Sequence, residues 1–220
     1  MRLDVLFPRE CVGCRTVGSY LCPQCKKSLY AHPEICPFCH KPSADFQTCF
    51  SCKTHTPVKG IIIGFSYETL LKKLIIKVKF GHKKDIISFL AERLALLVQT
   101  NTLLKNQHSP LIITFVPSHW RRKYLEKGYN QSELLAKELA NQLGLPMLTL
   151  AKKCKYTLSQ LKLSREQRTK NLNDAFVATG LERVPRNATI LIVDDVLTTG
   201  STITQLANVI TQKRSDLTLR

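Results

Sequence analysis

Eight of the nine cysteines stand before residue 53, in four pairs of one spacing: Cys11/Cys14, Cys22/Cys25, Cys36/Cys39 and Cys49/Cys52. This repetition constrains the fold more than any other feature of the chain. Two thiolates three positions apart can turn toward one ion, and two such knuckles complete a tetrahedral four-cysteine site for zinc. Eight ligands therefore imply two zinc ions. A disulfide framework would need an oxidising compartment. Met1 to Pro8 hold neither an apolar signal core nor a small-residue cleavage site ahead of Cys11, which favours a cytoplasmic location. A redox C-x-x-C occurs singly beside a βαβ pattern. Pairing in chain order is the simpler arrangement, with a cross-brace left open. Large apolar residues are scarce between these cysteines, so the metals are expected to be structural and to supply the folding free energy of the segment. Cys154 stands alone and is expected to be buried and inert.

The composition changes after Thr54-His55-Thr56-Pro57. We place a boundary there, with a zinc-binding domain over 1–57 and an α/β domain over 58–220. Gly60 to Tyr67 reads as a strand. Leu71, Leu74, Ile75 and Val78 form one helical face, and Ile87, Leu90, Ala91, Leu94 and Val98 a second. Leu111 to Val116 is a buried strand closed by Pro117; Leu135, Leu139 and Leu143 mark a helix that stops at Gly144. Pro146 to Leu150 reads as another short strand, and Asp216 to Leu219 as a short edge strand. Alternation of strands and helices predicts an α/β fold, a parallel sheet with flanking helices behind the small Cys-rich domain.

Ile190 to Val193 is an apolar run without alternation, as suits a strand covered on both faces. It stops at Asp194 and Asp195, and helical spacing resumes at Ile203, Leu206, Ala207 and Ile210. The connection is thus a strand-to-helix turn, where backbone N–H groups and a positive helix end can hold phosphate. Thr198, Thr199, Ser201 and Thr202 add hydroxyls around Gly200. The two acids suit sugar hydroxyls or a hydrated Mg²⁺. A Walker B strand would need a G-K-[S/T] loop elsewhere, and no glycine here precedes a lysine.

Lysine and arginine number 33 against 16 acidic residues, a net charge of +17. Two zinc sites of four thiolates each would lower this only to about +13. Such an excess calls for an anionic partner, most often nucleic acid. Lys77, Lys79, Lys83 and Lys84 run from a helix into a loop with Phe80, and Ser118, His119, Arg121, Arg122, Lys123 and Lys127 follow the strand that ends at Pro117. Basic groups beside aromatic ones suit a single-stranded phosphate backbone. A further cationic stretch from Lys152 to Lys170 reads as an arm-like segment. No apolar run approaches a membrane span, so membrane insertion is not expected.

Residues 190–202 resemble the phosphoribosyl pyrophosphate (PRPP) signature of type I phosphoribosyltransferases: four apolar residues, two acids and T-T-G-x-T. Leu74 to Gly81 looks like L-I-x-x-x-K-F-G, and Pro117 to Gln131 like P-x-x-x-x-R-R-x-x-x-x-R-G-F-N-Q, with Lys127 and Tyr129 as departures. Thr157, Gln160, Leu163, Arg168, Asn171, Ala175 and Phe176 complete a likeness that narrows to the ComF/GntX family, phosphoribosyltransferase-like competence proteins with an N-terminal zinc ribbon. The resemblance implies ribose contacts from Asp194 and Asp195, which are also the catalytic candidates. It implies phosphate contacts from Thr198 to Thr202, a pyrophosphate loop at Ser118 and His119, and a hood opened by Arg121 and Arg122. Mg²⁺, PRPP, single-stranded DNA and other DNA-uptake proteins are the implied partners. Two functions remain in view: a DNA-uptake protein carrying a PRPP/Mg²⁺ site, and an active phosphoribosyltransferase with no DNA role.

Overall fold

The computed structural model describes residues 8–79, 84–119, 129–154 and 175–220. Two short helices, α1 (Pro23–Lys27) and α2 (Phe50–Lys53), lie in the Cys-rich part. Helices α3 (Thr69–Lys79), α4 (Lys84–Thr100) and α5 (Thr102–Lys105) lead to strand β1 (Leu111–Phe115). Then come α6 (Gln131–Leu143), β2 (Ala151–Lys153), β3 (Phe176–Ala178), β4 (Thr189–Val193), α7 (Ser201–Lys213) and β5 (Thr218–Leu219).

Strands β1, β4 and β5 form a parallel sheet in that order. Parallel bridges extend it by one residue on each side, Met147 beside Ile113 and Val58 beside Leu219. Period-two alternation explains why the strand sequences are apolar throughout. Ile113, Phe115, Leu191 and Val193 face α3, α4 and α6, while Ile112, Ile190 and Ile192 face α7 and the antiparallel β2–β3 pair. Burial on both faces is the signature of a parallel sheet enclosed by helices. Gly144, left-handed at φ 64°, ends α6 as its sequence predicts.

Three expectations are corrected. Gly60 to Tyr67 joins no sheet strand among the described residues. Its backbone is engaged by the Cys-rich part: Gly60 bridges Gln47, Phe65 bridges Ala31, and the Ile61 N–H donates to the Phe46 carbonyl. Pro146 to Leu150 contributes one bridge along β1 instead of a strand, and the strand itself begins at Ala151. Cys154 is exposed, because the chain leaves β2 there with its backbone N–H held by the Ala175 carbonyl and its side chain outside the core. The arm-like stretch lies outside the described residues from Lys155 on.

The Cys-rich part packs on the α/β part at several places. Cys11, Leu21 and Cys25 share the apolar cluster of α3, α4 and α6. Arg9 pairs with Asp85 at 2.9 Å, and the Lys26 ammonium stands 5.0 Å from the Phe89 ring centroid. Asp45 accepts hydrogen bonds from the Thr102 hydroxyl and backbone N–H at the start of α5.

Candidate functional site

The cysteines gather in two groups of four, Cys11, Cys14, Cys22 and Cys25, then Cys36, Cys39, Cys49 and Cys52, with all Sγ atoms of a group within 4.8 Å. Pairing in chain order therefore holds and a cross-brace does not. Cys14 and Cys22 Sγ lie 3.6 Å apart, as do those of Cys39 and Cys49. A tetrahedral Zn²⁺ with bonds of about 2.3 Å requires S···S edges of about 3.8 Å, so the residues fit the ion. Backbone N–H groups of Cys22 and Cys49 point at Cys11 and Cys36 Sγ, each at 3.4 Å. Burial pushes Cys11 and Cys36 up, but N–H donation outweighs it and brings each thiol down to about 6. Cys25 rises to about 12 through its hydrogen bond with Cys11 and through burial, and Cys52 rises to about 12 through burial and its thiol neighbours. A divalent cation removes that mutual conflict. A Cβ on Gly13 would meet Cys25 Sγ at 2.6 Å, so the first knuckle closes around the sulfur only with glycine.

The second centre forms where β1 and β4 end. Phe115 pairs with Val193, and the Val116 N–H donates to the Val193 carbonyl at 3.0 Å, so the two strand exits lie side by side. Ligands of open α/β sheets bind at this edge. Asp194 follows β4 directly. Its Oδ1 accepts the Ser132 hydroxyl and the Asp195 N–H, both at 2.9 Å. Burial of its carboxyl, then the charge of Asp195, push Asp194 well above the ordinary carboxylate range, while the Ser132 hydroxyl works in the opposite direction. Ser132 lies in the first turn of α6 and is buried; its sequence neighbours give no sign of this contact.

Thr198, Thr199 and Gly200 turn the chain into α7. Gly200 occupies the N-cap position at φ 71° and, having no side chain, does not cap the helix itself. The Thr199 and Ser201 hydroxyls lie 2.9 Å apart. The turn therefore offers hydroxyls and the positive end of a thirteen-residue helix to an anion. At the β1 exit, Ser118 Oγ is buried with no hydrogen-bond partner among the described residues, and His119 is only 7% exposed. Two contacts hold this exit: Asn130 donates to the Val116 carbonyl at 2.9 Å, and the Tyr129 hydroxyl donates to the Val78 carbonyl at the end of α3. Topology thus puts the β1 exit, with Ser118 and His119, at the same sheet edge as Asp194 and Asp195. A cavity of about 370 Å³ is lined by Asp194 and Asp195 together with Leu135, Leu139, the 61–65 passage, Ile35 and His40.

Of the predicted DNA-contacting residues, Lys77 is exposed on α3 beside Lys72 and Lys73. Lys79 and Lys84 belong to α3 and α4 by backbone. Lys83, Arg121, Arg122, Lys123 and Lys127 lie outside the described residues. No helix among the described residues is long and apolar enough to cross a membrane.

Residues 2–56 match the double zinc ribbon domain, and residues 130–214 match the phosphoribosyl transferase domain. Competence protein F of Haemophilus influenzae is 32% identical over 213 residues, covering 93% of this chain and 91% of that one. The chain belongs to the ComF/GntX family. Another member, the DNA utilization protein YhgH of Escherichia coli K12, is 30% identical over 210 residues, 92% of this chain and 91% of the relative. Competence protein ComFC of Bacillus subtilis is 22% identical over 201 residues, 88% and 78% of the two chains. The two cysteine clusters are accordingly the four-cysteine zinc sites of a double ribbon, and the strand-end turn belongs to a phosphoribosyltransferase domain.

Proposed function

We propose that this protein acts in DNA uptake in the cytoplasm, binds single-stranded DNA on its basic surface, and holds PRPP with Mg²⁺ at the turn between β4 and α7. The supporting observation is the placement of Asp194 and Asp195 at a strand end, followed by a hydroxyl-rich turn that enters helix α7 at a left-handed glycine. Related chains are named competence and DNA utilization proteins. In this reading the ribose hydroxyls donate to the two carboxylates, and the 5-phosphate accepts from the 198–202 turn. Ser118 and His119 face the pyrophosphate, where the Ser118 hydroxyl gains an acceptor. Asp194 and Asp195 would hold Mg²⁺, which would supply charge neutralisation for the anionic ligand. They fit the ion because their adjacent charges repel. The protein's own contribution is positioning and electrostatics: Ser132 holds Asp194, and Asn130 and Tyr129 hold the neighbouring exit. The DNA surface begins on α3, where Lys72, Lys73 and Lys77 flank Tyr67 and Ile76, apolar groups 45% and 44% exposed. Division at residue 57 into a ribbon unit and an α/β unit belongs to the same reading.

Calorimetry with PRPP and Mg²⁺ tests the site. Binding is expected for the wild type and not for an Asp194→Ala/Asp195→Ala protein; equal affinity in the two would remove the assignment. A phosphoribosyltransferase with no DNA role is the second reading, favoured by the domain match over 130–214. Pyrophosphate release from PRPP, measured with and without single-stranded DNA, separates the two.

A further inference from the structure

The second zinc ribbon reaches the 198–202 turn with the side chain of Phe38. Phe38 stands between Cys36 and Cys39, inside the third knuckle, and packs against the apolar cluster that contains Ile203, Leu206 and Ile210 of α7. A Cβ built on Gly200 would lie 2.8 Å from Phe38 Cε1 and 3.3 Å from Cδ1. The ring edge therefore fills the space that any larger residue would occupy at the N-cap of α7. Two further contacts hold the same junction. Thr56 and Thr204 hydroxyls lie 3.1 Å apart, and the Thr204 N–H donates to the Gly200 carbonyl at 2.9 Å. The Lys59 N–H donates to the Leu219 carbonyl at 2.9 Å, so the exit of this ribbon is stitched to the sheet edge. Its other two phenylalanines are placed differently: Phe46 is buried but belongs to neither large apolar cluster, and Phe50 is 89% exposed.

We propose that Phe38 is a positioning residue for the phosphate turn, through which zinc at Cys36, Cys39, Cys49 and Cys52 and an anionic ribose phosphate at Thr198 to Thr202 stabilise one another. The inference rests on the PRPP reading above. Zinc fixes the third knuckle, the knuckle fixes the ring, and the ring holds Gly200 in the left-handed conformation that aims the α7 N–H groups at the phosphate. A ligand that orders the turn must by linkage hold the knuckle and retain its zinc. The first ribbon lies elsewhere, since Cys11, Leu21 and Cys25 pack on the opposite face of the sheet.

The experiment compares wild type, Phe38→Ala, Phe38→Leu and Phe50→Ala by zinc content and by calorimetry with PRPP and Mg²⁺. Phe38→Ala is expected to keep two zincs and bind PRPP about tenfold more weakly. Phe38→Leu should recover much of the loss and Phe50→Ala should match wild type. In the wild-type protein, PRPP should slow chelator extraction of one zinc and leave the other unchanged. Phe38→Ala with wild-type affinity, or zinc release indifferent to PRPP, overturns the coupling. Should Phe38→Ala lose zinc, the leucine variant and the wild-type extraction rates still decide. Absence of PRPP binding to the wild type would remove the parent reading; intact wild-type binding with no Phe38 effect removes this inference alone.

Discussion

Two aspartates carry opposite pH signatures. Asp194 is raised by burial and by Asp195, so its ionised form costs stability; that cost is absent below the ordinary aspartate pKa of about 3.9 and grows as pH rises through the raised folded value. Asp194→Asn is therefore expected to melt above wild type at pH 7.5, with the margin closing toward pH 4, while PRPP binding is lost. PRPP binding by the wild type should tighten with pH across the same window, because sugar hydroxyls and Mg²⁺ select the carboxylate. Thermal melts and titrations across pH check both. The acids are readable in the sequence because an apolar strand stops on them. Ser132 is not, since it meets Asp194 from sixty-two residues away across the start of α6, and nothing local marks a serine there. Phe38 is hidden in the same way, because the spacing of its flanking cysteines specifies a metal and not the turn that the ring touches. Gly200→Ala would meet both a positive φ and that ring. It should lower the melting temperature and weaken PRPP binding together.

Among the elements, β1, β4 and the helix faces of α3, α4, α6 and α7 follow from apolar runs and helical spacing, since each buries enough side chain to impose its own period. The 60–67 passage has the same apolar content, yet its N–H and C=O groups are engaged by the zinc ribbon instead of a strand. Apolar composition reports burial, and pairing depends on which backbone arrives alongside. The junction of α7 and β5 depends on charge. Arg214 Nε and a terminal nitrogen donate to the two Asp216 oxygens at 2.7 and 2.8 Å, and Arg214 also donates to the carbonyls of Leu181, Val184 and Pro185. The Arg214 hydrogen bonds, then the Asn187 N–H, hold the Asp216 carboxyl well below the usual carboxylate range. This contribution is present above pH of about 4 and is lost as acid protonates the group. Asp216→Asn should therefore melt a few degrees below wild type at neutral pH and converge with it in acid, which melts from pH 7 down to 2.5 would test.

For the molecule as a whole, zinc and charge act at different ranges. The ribbons share an apolar cluster with α3, α4 and α6 on one side and brace α7 on the other, so stripping zinc should destabilise the α/β part as well as unfold the ribbons. Elemental analysis should give two zincs per chain; one would mean that half of the cysteines hold no metal. The fold class and both metal sets are legible because eight cysteines and a parallel-sheet pattern leave few alternatives. The proposed DNA surface is less so, because net charge counts lysines without saying which of them share a face. Lys72 and Lys73 line one groove with Tyr67 and Ile76, and Lys77 is exposed further along α3. If single-stranded DNA follows that face, its affinity falls with salt through counterion release, by a log–log slope of about −0.7 per phosphate neutralised. A Lys72→Ala/Lys73→Ala/Lys77→Ala protein should then bind more weakly at low salt and show a slope shallower by about 2. PRPP affinity should be unchanged, since none of the three lysines lies at the strand-end turn. Fluorescence anisotropy with an oligonucleotide across a salt series measures the slope. An unaltered slope would move the DNA path off α3, and a flat one in the wild type would remove the electrostatic surface altogether.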